Sequence, residues 1–456
     1  MISGVAIFSS AVCRGQQEEV YFSAEDLNSD LQYLKSKLET IHPALHLYSS
    51  RAEVEQYLND LSKEITRPLT GTDFYRIVTQ ISPLIKDGHT IILPSQANQT
   101  FHTNHSKFFP YQLICSENKL YVQHDFTAQQ TLAAGAEILS INGKDAADII
   151  KELTERQVRD GQNLSYPRWI LNNYFRQYYN FIMGHPAIYQ ITFTRAGTTS
   201  AAMIQALSKD SINNYRQKND RQLTLTPLPK EALLLKIDSG NHTALLTIRD
   251  FHNSILKKQY HQHFKKEIGG FFRKIKAADV GSLIIDLRNN QGGDIANGVF
   301  LLSYIMNAPF EVVREYYKLR HQALQRCKGP ATGTHKLRPD HFTGSLYVLI
   351  NGGSFSNSAI VSSCLSRAGR AVFVGEETGG CADVISGFIK NVTLPKTGIQ
   401  VQVPARQFIL TDKSRNTGHG IRPQHVVVPS VNDLLEGRDV VLEYAKNLIK
   451  KANSQL

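Results

Sequence analysis

Asn351-Gly352-Gly353-Ser354-Phe355-Ser356-Asn357-Ser358 follows an apolar run, Ser345 to Ile350, that reads as a short buried strand. Ile360 to Leu365 then begins an apolar periodicity suited to a helix. A serine delivered by a glycine turn to the first turn of a helix meets free backbone N–H groups and the positive end of the helix dipole. An acyl-transfer nucleophile needs that setting, because a tetrahedral oxyanion has to be stabilised beside it. The plainer reading of the same residues is a Gly/Ser-rich turn closed by a serine cap. The two readings part on what the rest of the chain brings to Ser356.

A second stretch has the same design. Leu283-Ile284-Ile285-Asp286-Leu287 reads as a strand, Asn289-Asn290-Gln291-Gly292-Gly293 as a turn, and Ile295 onward as a helix. Two neighbouring strand–turn–helix units can aim two sets of backbone N–H groups at one point, and glycine permits the close approach this needs. The amide of Gly292 or Gly293 then supplies one oxyanion donor and that of Asn357 the other. Strands and helices alternate around these units: a strand at Ala244–Ile248, a helix over Lys257–Ile275, helices from Ile295 and Ser358, and a strand at Ala371–Val374. Residues 232–430 therefore read as an α/β unit, and 431–456 as a closing helix and tail.

Upstream the pattern differs. Residues 23–94 read as helical: Ser23 offers a cap, and Leu27, Leu31, Leu34, Leu38 and Ile41 follow at helical spacing until His42-Pro43 breaks the run. Helices over Ala52–Ile65 and Gly71–Ile85 complete this region, which ends in Lys86-Asp87-Gly88-His89-Thr90 and a strand-like Ile91-Ile92-Leu93. Residues 108–207 carry short strands, with Tyr166 to Tyr179 as an aromatic-rich insertion. Within them Gly135 to Lys144 (GAEILSINGK) ends in an Asn-Gly hairpin signal. This stretch resembles the "GDEILSINGK" segment of PDZ domains, which bind extended peptide by adding it as a strand.

At 456 residues the chain is long enough for about three domains. Its 41% hydrophobic and 20% charged residues are those of a soluble globular protein. The net charge is +11 with a pI near 9.2, but the basic residues are dispersed and no nucleic-acid module is recognisable. Cys13, Cys115, Cys327, Cys364 and Cys381 form no CxxC pair, and Cys364 reads as a buried small hydrophobe. The close histidine pairs His42/His46, His102/His105 and His261/His263 lack HExxH spacing or a convergent carboxylate set, so no catalytic metal is expected. No P-loop or dinucleotide fingerprint is present, and no cofactor is expected. Asp286 and Arg288 read as a structural ion pair holding a strand and its loop. No apolar window is long enough for a transmembrane helix. MISGVAIFSSAVC, at the start of residues 1–17, resembles the apolar region of a signal peptide without a basic segment before it, which points to export to the periplasm, cell envelope or exterior.

Three ordered motifs, LIIDLRNNQGG (283–293), INGGSFSNSA (350–359) and GRAVFVGEETGG (369–380), resemble the S41 peptidase family. That family contains the tail-specific processing proteases, the tricorn core protease and the retinoid-binding repeats of vertebrate retina. The resemblance implies a ClpP/crotonase-like α/β catalytic core, a preceding PDZ-like β-rich domain and serine peptidase activity on protein or peptide substrates. Ser356 falls on the family's nucleophile position. One branch activates its serine with a lysine just after the third motif, where this chain has Cys381. Another, tricorn-like branch uses a histidine, and His89 in Asp87-Gly88-His89-Thr90 matches its "DGHT" form. Histidine is the usual base for a serine hydroxyl that is a poor nucleophile on its own. Three positions depart from the pattern: Thr417 stands where a glutamate is common, Gln424 where an aspartate is, and Ala359 where another glutamate is. The group orienting His89 is therefore open between a backbone carbonyl, Thr417 and Glu376. The same departures sustain an alternative, a weak or inactive member of the fold that binds ligand or peptide.

Overall fold

In the computed structural model, which describes residues 19–218, 230–329, 331–411 and 416–454, Ser23 caps the first helix by accepting the Asp26 N–H at 3.1 Å. The segment read as a signal peptide lies outside the described residues. Helix α1 (Ala24–Ile41) buries Leu27, Leu31, Leu34 and Leu38 and stops before Pro43. Helix α2 (Arg51–Glu64) opens with a capping box between Ser50 and Glu53, and α3 (Gly71–Val78) follows. A short helix, Ser82–Ile85, ends at Lys86 in the left-handed conformation, and the chain enters strand β1 (Ile91–Leu93).

Five antiparallel strands come next: β2 (Tyr111–Ser116), β3 (Lys119–Asp125), β4 (Glu137–Ile141), β5 (Ile188–Arg195) and β6 (Thr198–Gln205), in that order across the sheet. After β4 the expected tight turn forms at Asn142 (φ 52°) and Gly143 (φ 77°). Helices α4 (Ala146–Glu155) and α5 (Ser165–Met183) lie between β4 and β5, so the aromatic-rich segment is a helical insertion. One apolar cluster runs through the first helices and this sheet, from Leu31 and Phe74 to Leu120, Ile141 and Ile191.

The central sheet of the α/β core follows the order β7 (Leu233–Asp238), β8 (Thr243–Ile248), β9 (Ser282–Asp286), β12 (Ser345–Ile350), β13 (Val372–Gly375) and β16 (His425–Val426). All pairs but β7–β8 are parallel. Period-2 alternation explains how both faces are covered. Leu283, Ile285, Leu346 and Val348 face a core shared with α6 (Phe264–Ala277), α7 (Ile295–Ile305) and α8 (Asn357–Arg367). Ile284, Tyr347 and Leu349 face the closing helix α9 (Val440–Asn453). Two predicted helices are shorter than expected, because residues in the left-handed conformation interrupt them. His261 (φ 53°) splits 253–277, and Gly437 (φ 67°) divides 431–453.

A second antiparallel sheet contains β10 (Glu315–Arg320), β11 (Ala323–Cys327), β14 (Val384–Thr393) and β15 (Gln400–Ile409), none of which the sequence patterns suggested. It is the bridge to the N-terminal region. Strand β1 pairs with β15, Ile92 opposite Val401. The buried Asp30 of α1 accepts N–H groups of Lys396 and Thr397 at the β14–β15 turn, at 2.9 and 2.8 Å. The loop 86–90, just before β1, is thereby carried onto the α/β core.

Candidate active site

Strand β12 is buried from Leu346 to Ile350 and delivers its glycine turn to the start of α8. There Ser356 takes φ 53° and ψ −121°, a conformation that non-glycine residues rarely adopt and that surrounding structure has to enforce. The enforcement is visible. Phe355 N–H donates to the Asn290 carbonyl at 3.0 Å, and the Ser354 hydroxyl donates to the Leu287 carbonyl at 2.8 Å. The Asn351 amide and the Asn289 carbonyl oxygen of its side chain join the two glycine loops at 2.9 Å. Although Ser356 sits at the cap position, its side chain makes no cap hydrogen bond. The serine-cap reading therefore fails. Its hydroxyl instead lies 3.0 Å from His89 Nε2.

His89 is buried, and its ring stacks on Phe355 with centroids 4.6 Å apart. Phe355 stacks in turn on Tyr166 at 4.1 Å, and Tyr166 on Trp169. The start of α5 thus packs over both glycine loops, with Trp169 Nε1 donating to Asn289 Oδ1 at 2.7 Å. Gly88 has to lack a side chain here. A Cβ at that position would lie 2.7 Å from the Phe355 ring and 2.8 Å from Asp160 Oδ1.

Burial pushes the His89 pKa below its ordinary value, Asp87 opposes that shift, and His42 adds to it. His89 is therefore neutral at neutral pH and able to accept a proton through Nε2. Its other nitrogen, Nδ1, is buried and has no hydrogen-bond partner among the described residues. Two buried carboxylates fix the loop by its backbone instead. Asp87 Oδ1 accepts the His89 N–H at 2.9 Å and the Thr90 hydroxyl at 3.1 Å. Asp160 accepts the Gly88 N–H at 2.7 Å and the Cys381 N–H at 3.1 Å. Burial and the neighbouring Asp87 charge push the Asp160 carboxyl up to about 7.

Of the amides expected as oxyanion donors, one is not free. Gly292 N–H is already engaged, donating to Asn290 Oδ1 at 2.8 Å, so it is not free to bind a reacting oxygen. Gly292 contributes space: a Cβ there would sit 2.7 Å from both Ser356 Cβ and the Asn357 nitrogen. The amides of Gly293 and Asn357 make no hydrogen bond among the described residues.

Residues 242–427 match the family model of peptidase family S41. This α/β core belongs to peptidase family S41. No curated protein sequence matches the chain. Among solved structures, mature CPAF is similar at 13% identity and TM-score 0.67, over 94% of this chain and 97% of that one. Mature CPAF complexed with lactacystin is similar at 14% identity and TM-score 0.68, over 94% and 98%. A serine-to-alanine mutant of CPAF gives 13% identity and TM-score 0.71, over 94% and 97%. At these identities the likeness speaks for the fold. The chain is thus a mixed α/β protein whose core, over residues 242–427, matches the S41 peptidase family.

Within this S41 core the remaining expected residues separate. Thr417 is exposed, and its N–H donates to Asp383 Oδ2 at 3.3 Å. Glu376 is half-buried, its carboxyl pushed up by burial against the opposing pull of Arg168. Neither is hydrogen-bonded to His89. Cys381, at the position of the other branch's lysine, is buried with its thiol pushed up to about 11. Cys364 is buried, its thiol likewise pushed up to about 11. Arg288 forms paired hydrogen bonds with Asp286 and Asp439, tying β9 to α9 as a structural ion pair. No cluster of three or more metal-ligating side chains occurs among the described residues. Nor is any described helix long and apolar enough to cross a membrane. Asp160, the His42–Asp87 pairing, the Asn290–Phe355 contact and the Phe355–Tyr166 stack had no signal in the sequence, because each joins segments far apart in the chain.

Proposed function

We propose that the protein is an exported serine endopeptidase that hydrolyses peptide bonds of protein or peptide substrates. In this reading Ser356 Oγ attacks the scissile carbonyl while His89 Nε2 takes its proton and returns it to the leaving amine. The amides of Gly293 and Asn357 hold the oxyanion, at the start of a helix whose dipole favours negative charge. The observation that carries the proposal is the 3.0 Å approach of His89 Nε2 to a serine hydroxyl that caps nothing. The S41 match over the same core supports it. Export rests on the apolar character of residues 1–13 alone and is tested by fractionating the producing cells.

The test of the chemistry is labelling with a serine-directed fluorophosphonate, together with hydrolysis of an unfolded protein. Labelling lost in both Ser356→Ala and His89→Ala is the expected result. A Ser356→Ala variant that hydrolyses at the wild-type rate would sink the assignment. The second reading, a binding protein on the same fold, is favoured by the unpartnered His89 Nδ1. It predicts peptide binding with no labelling at all.

A further inference from the structure

The carboxylate that serves His89 does not sit behind its ring. We infer that Asp87, backed by His42, is the positioning and charge-compensating acid of this site, acting through the His89 backbone and through space. The inference rests on the Ser356–His89 reading above.

Three geometric facts support it. As a general base His89 must keep its lone pair on Nε2, so the proton of the neutral ring sits on Nδ1, where no acceptor is present among the described residues. Ring orientation must come from elsewhere. Asp87 supplies it by gripping the His89 N–H at 2.9 Å and the Thr90 hydroxyl at 3.1 Å with one oxygen, while Phe355 fixes the ring plane. The other oxygen faces His42 Nε2 at 3.6 Å. His42 Nδ1 accepts the Ala44 N–H at 3.1 Å, which leaves Nε2 as the ring nitrogen that presents a proton to Asp87.

The charge argument is separate. Around Asp87 stand His42 from the α1 terminus, His89 in its own loop, Ser386 from β14 and Asp160 from the segment before α5. Burial pushes the Asp87 carboxyl up, but His42, His89 and Ser386 outweigh it and hold the group well below its ordinary value. The buried group is thus an anion at neutral pH. When His89 becomes an imidazolium during attack, that anion is the nearby opposite charge, in a medium where such interactions are strong. Asp160 does not fill this role, since both its oxygens are taken by the backbone N–H groups of Gly88 and Cys381.

The informative variant is Asp87→Asn, which keeps a carbonyl to accept the His89 N–H and removes the charge. Asp87→Ser, another neutral acceptor for an N–H two residues on, provides a second route if the first does not fold. The measurements are kcat and KM on a peptide substrate and the fluorophosphonate labelling rate across pH, each with a melting curve. With the fold intact, kcat and the labelling plateau fall about tenfold or more, one pKa unit of lost charge interaction being tenfold, while KM holds. The low-pH limb of labelling moves to lower pH, because His89 without its anion binds a proton less readily. Wild-type rate and an unmoved limb overturn the inference. So does a fall in kcat with no movement of the limb, which reduces Asp87 to scaffold. Failure of the underlying reading looks different: Ser356→Ala or His89→Ala then keeps its activity, whatever Asp87 does.

Discussion

His89 Nε2 and Ser356 Oγ meet at 3.0 Å although 267 residues of chain separate them. No local geometry could bring them together, so the contact reports on the whole assembly. β12 and its glycine turn set Ser356, and the pairing of β1 with β15 sets the loop that carries His89. Asp160 then links that loop directly to the backbone of Cys381, three residues before β14 begins. The site is a seam between the N-terminal region and the α/β core, and its chemistry depends on how tightly that seam is held.

Gly88 is the first place to test the seam. A methyl group there meets the Phe355 ring and Asp160 Oδ1, both under 3 Å, so the loop has to move away from Ser356. Overpacking of this kind costs about 1–3 kcal/mol of stability. A displacement near 1 Å at the reacting groups is worth about 100-fold in rate. Gly88→Ala is therefore expected to remain folded and lose about 100-fold in kcat on a peptide substrate. Activity within twofold of wild type counts against the placement of the loop.

The pH dependence follows from burial of His89. Its pKa lies below the ordinary value because burial disfavours the charged ring, with Asp87 only partly compensating and His42 adding to the decrease. Under the proposed mechanism the base works while unprotonated, so activity should be retained as pH falls through about 6.5 and lost only below it. The fluorophosphonate labelling rate should reach half its plateau below that value. A half-point above it contradicts a buried, neutral base. The same shift makes the fold less stable on acidification, since the unfolded chain takes up the proton first.

Gly292→Ala separates shape from substrate binding. The added carbon would press on Ser356 Cβ and on the Asn357 nitrogen, at a φ of 97° that alanine does not tolerate. The Asn357 amide has no partner among the described residues, and if it holds the oxyanion as proposed, displacing it costs about 10²–10³-fold in kcat. We expect that loss with KM little changed. A rise in KM at constant kcat would instead mean that the loop binds substrate and leaves the transition state alone.

How much of this was legible in the chain depends on the distance over which each signal acts. The Ser23 cap, the leucine spacing of α1 and the Asn142-Gly143 hairpin are local, and all three formed as read. The two strand–turn–helix units were legible because an apolar run, a glycine turn and a helical periodicity follow one another within each short stretch. The β10–β11 hairpin was not, since its turn falls on His321 and Gln322, neither of which signals a hairpin. The four strands of that sheet mix buried and exposed positions without a clean period. Local spacing likewise could not choose which glycine amide stays free, because the answer lies in the Asn290 side chain. The two side chains after the nucleophile that could orient the histidine, Glu376 and Thr417, do not reach it. Instead, Asp87 inside the histidine loop and Asp160 from the segment before α5 hold that loop through its backbone.

Asp160 gives the seam a pH signature of its own. Its carboxyl is pushed up to about 7 by burial and by the Asp87 charge, although the Gly88 and Cys381 N–H groups pull it down. An acid whose folded pKa exceeds its unfolded value near 3.9 holds its proton more tightly in the folded state. Between about 4 and about 7 the folded chain therefore binds more protons than the unfolded chain, and this group's contribution to stability falls as pH rises. Asp160→Asn carries no such titration. Its melting temperature should lie furthest below wild type near pH 4, and the gap should narrow steadily towards pH 7. Melting curves of the two proteins at matched ionic strength measure this directly. A gap that stays constant or widens over that range would show that the Asp160 carboxylate is already ionised in the fold.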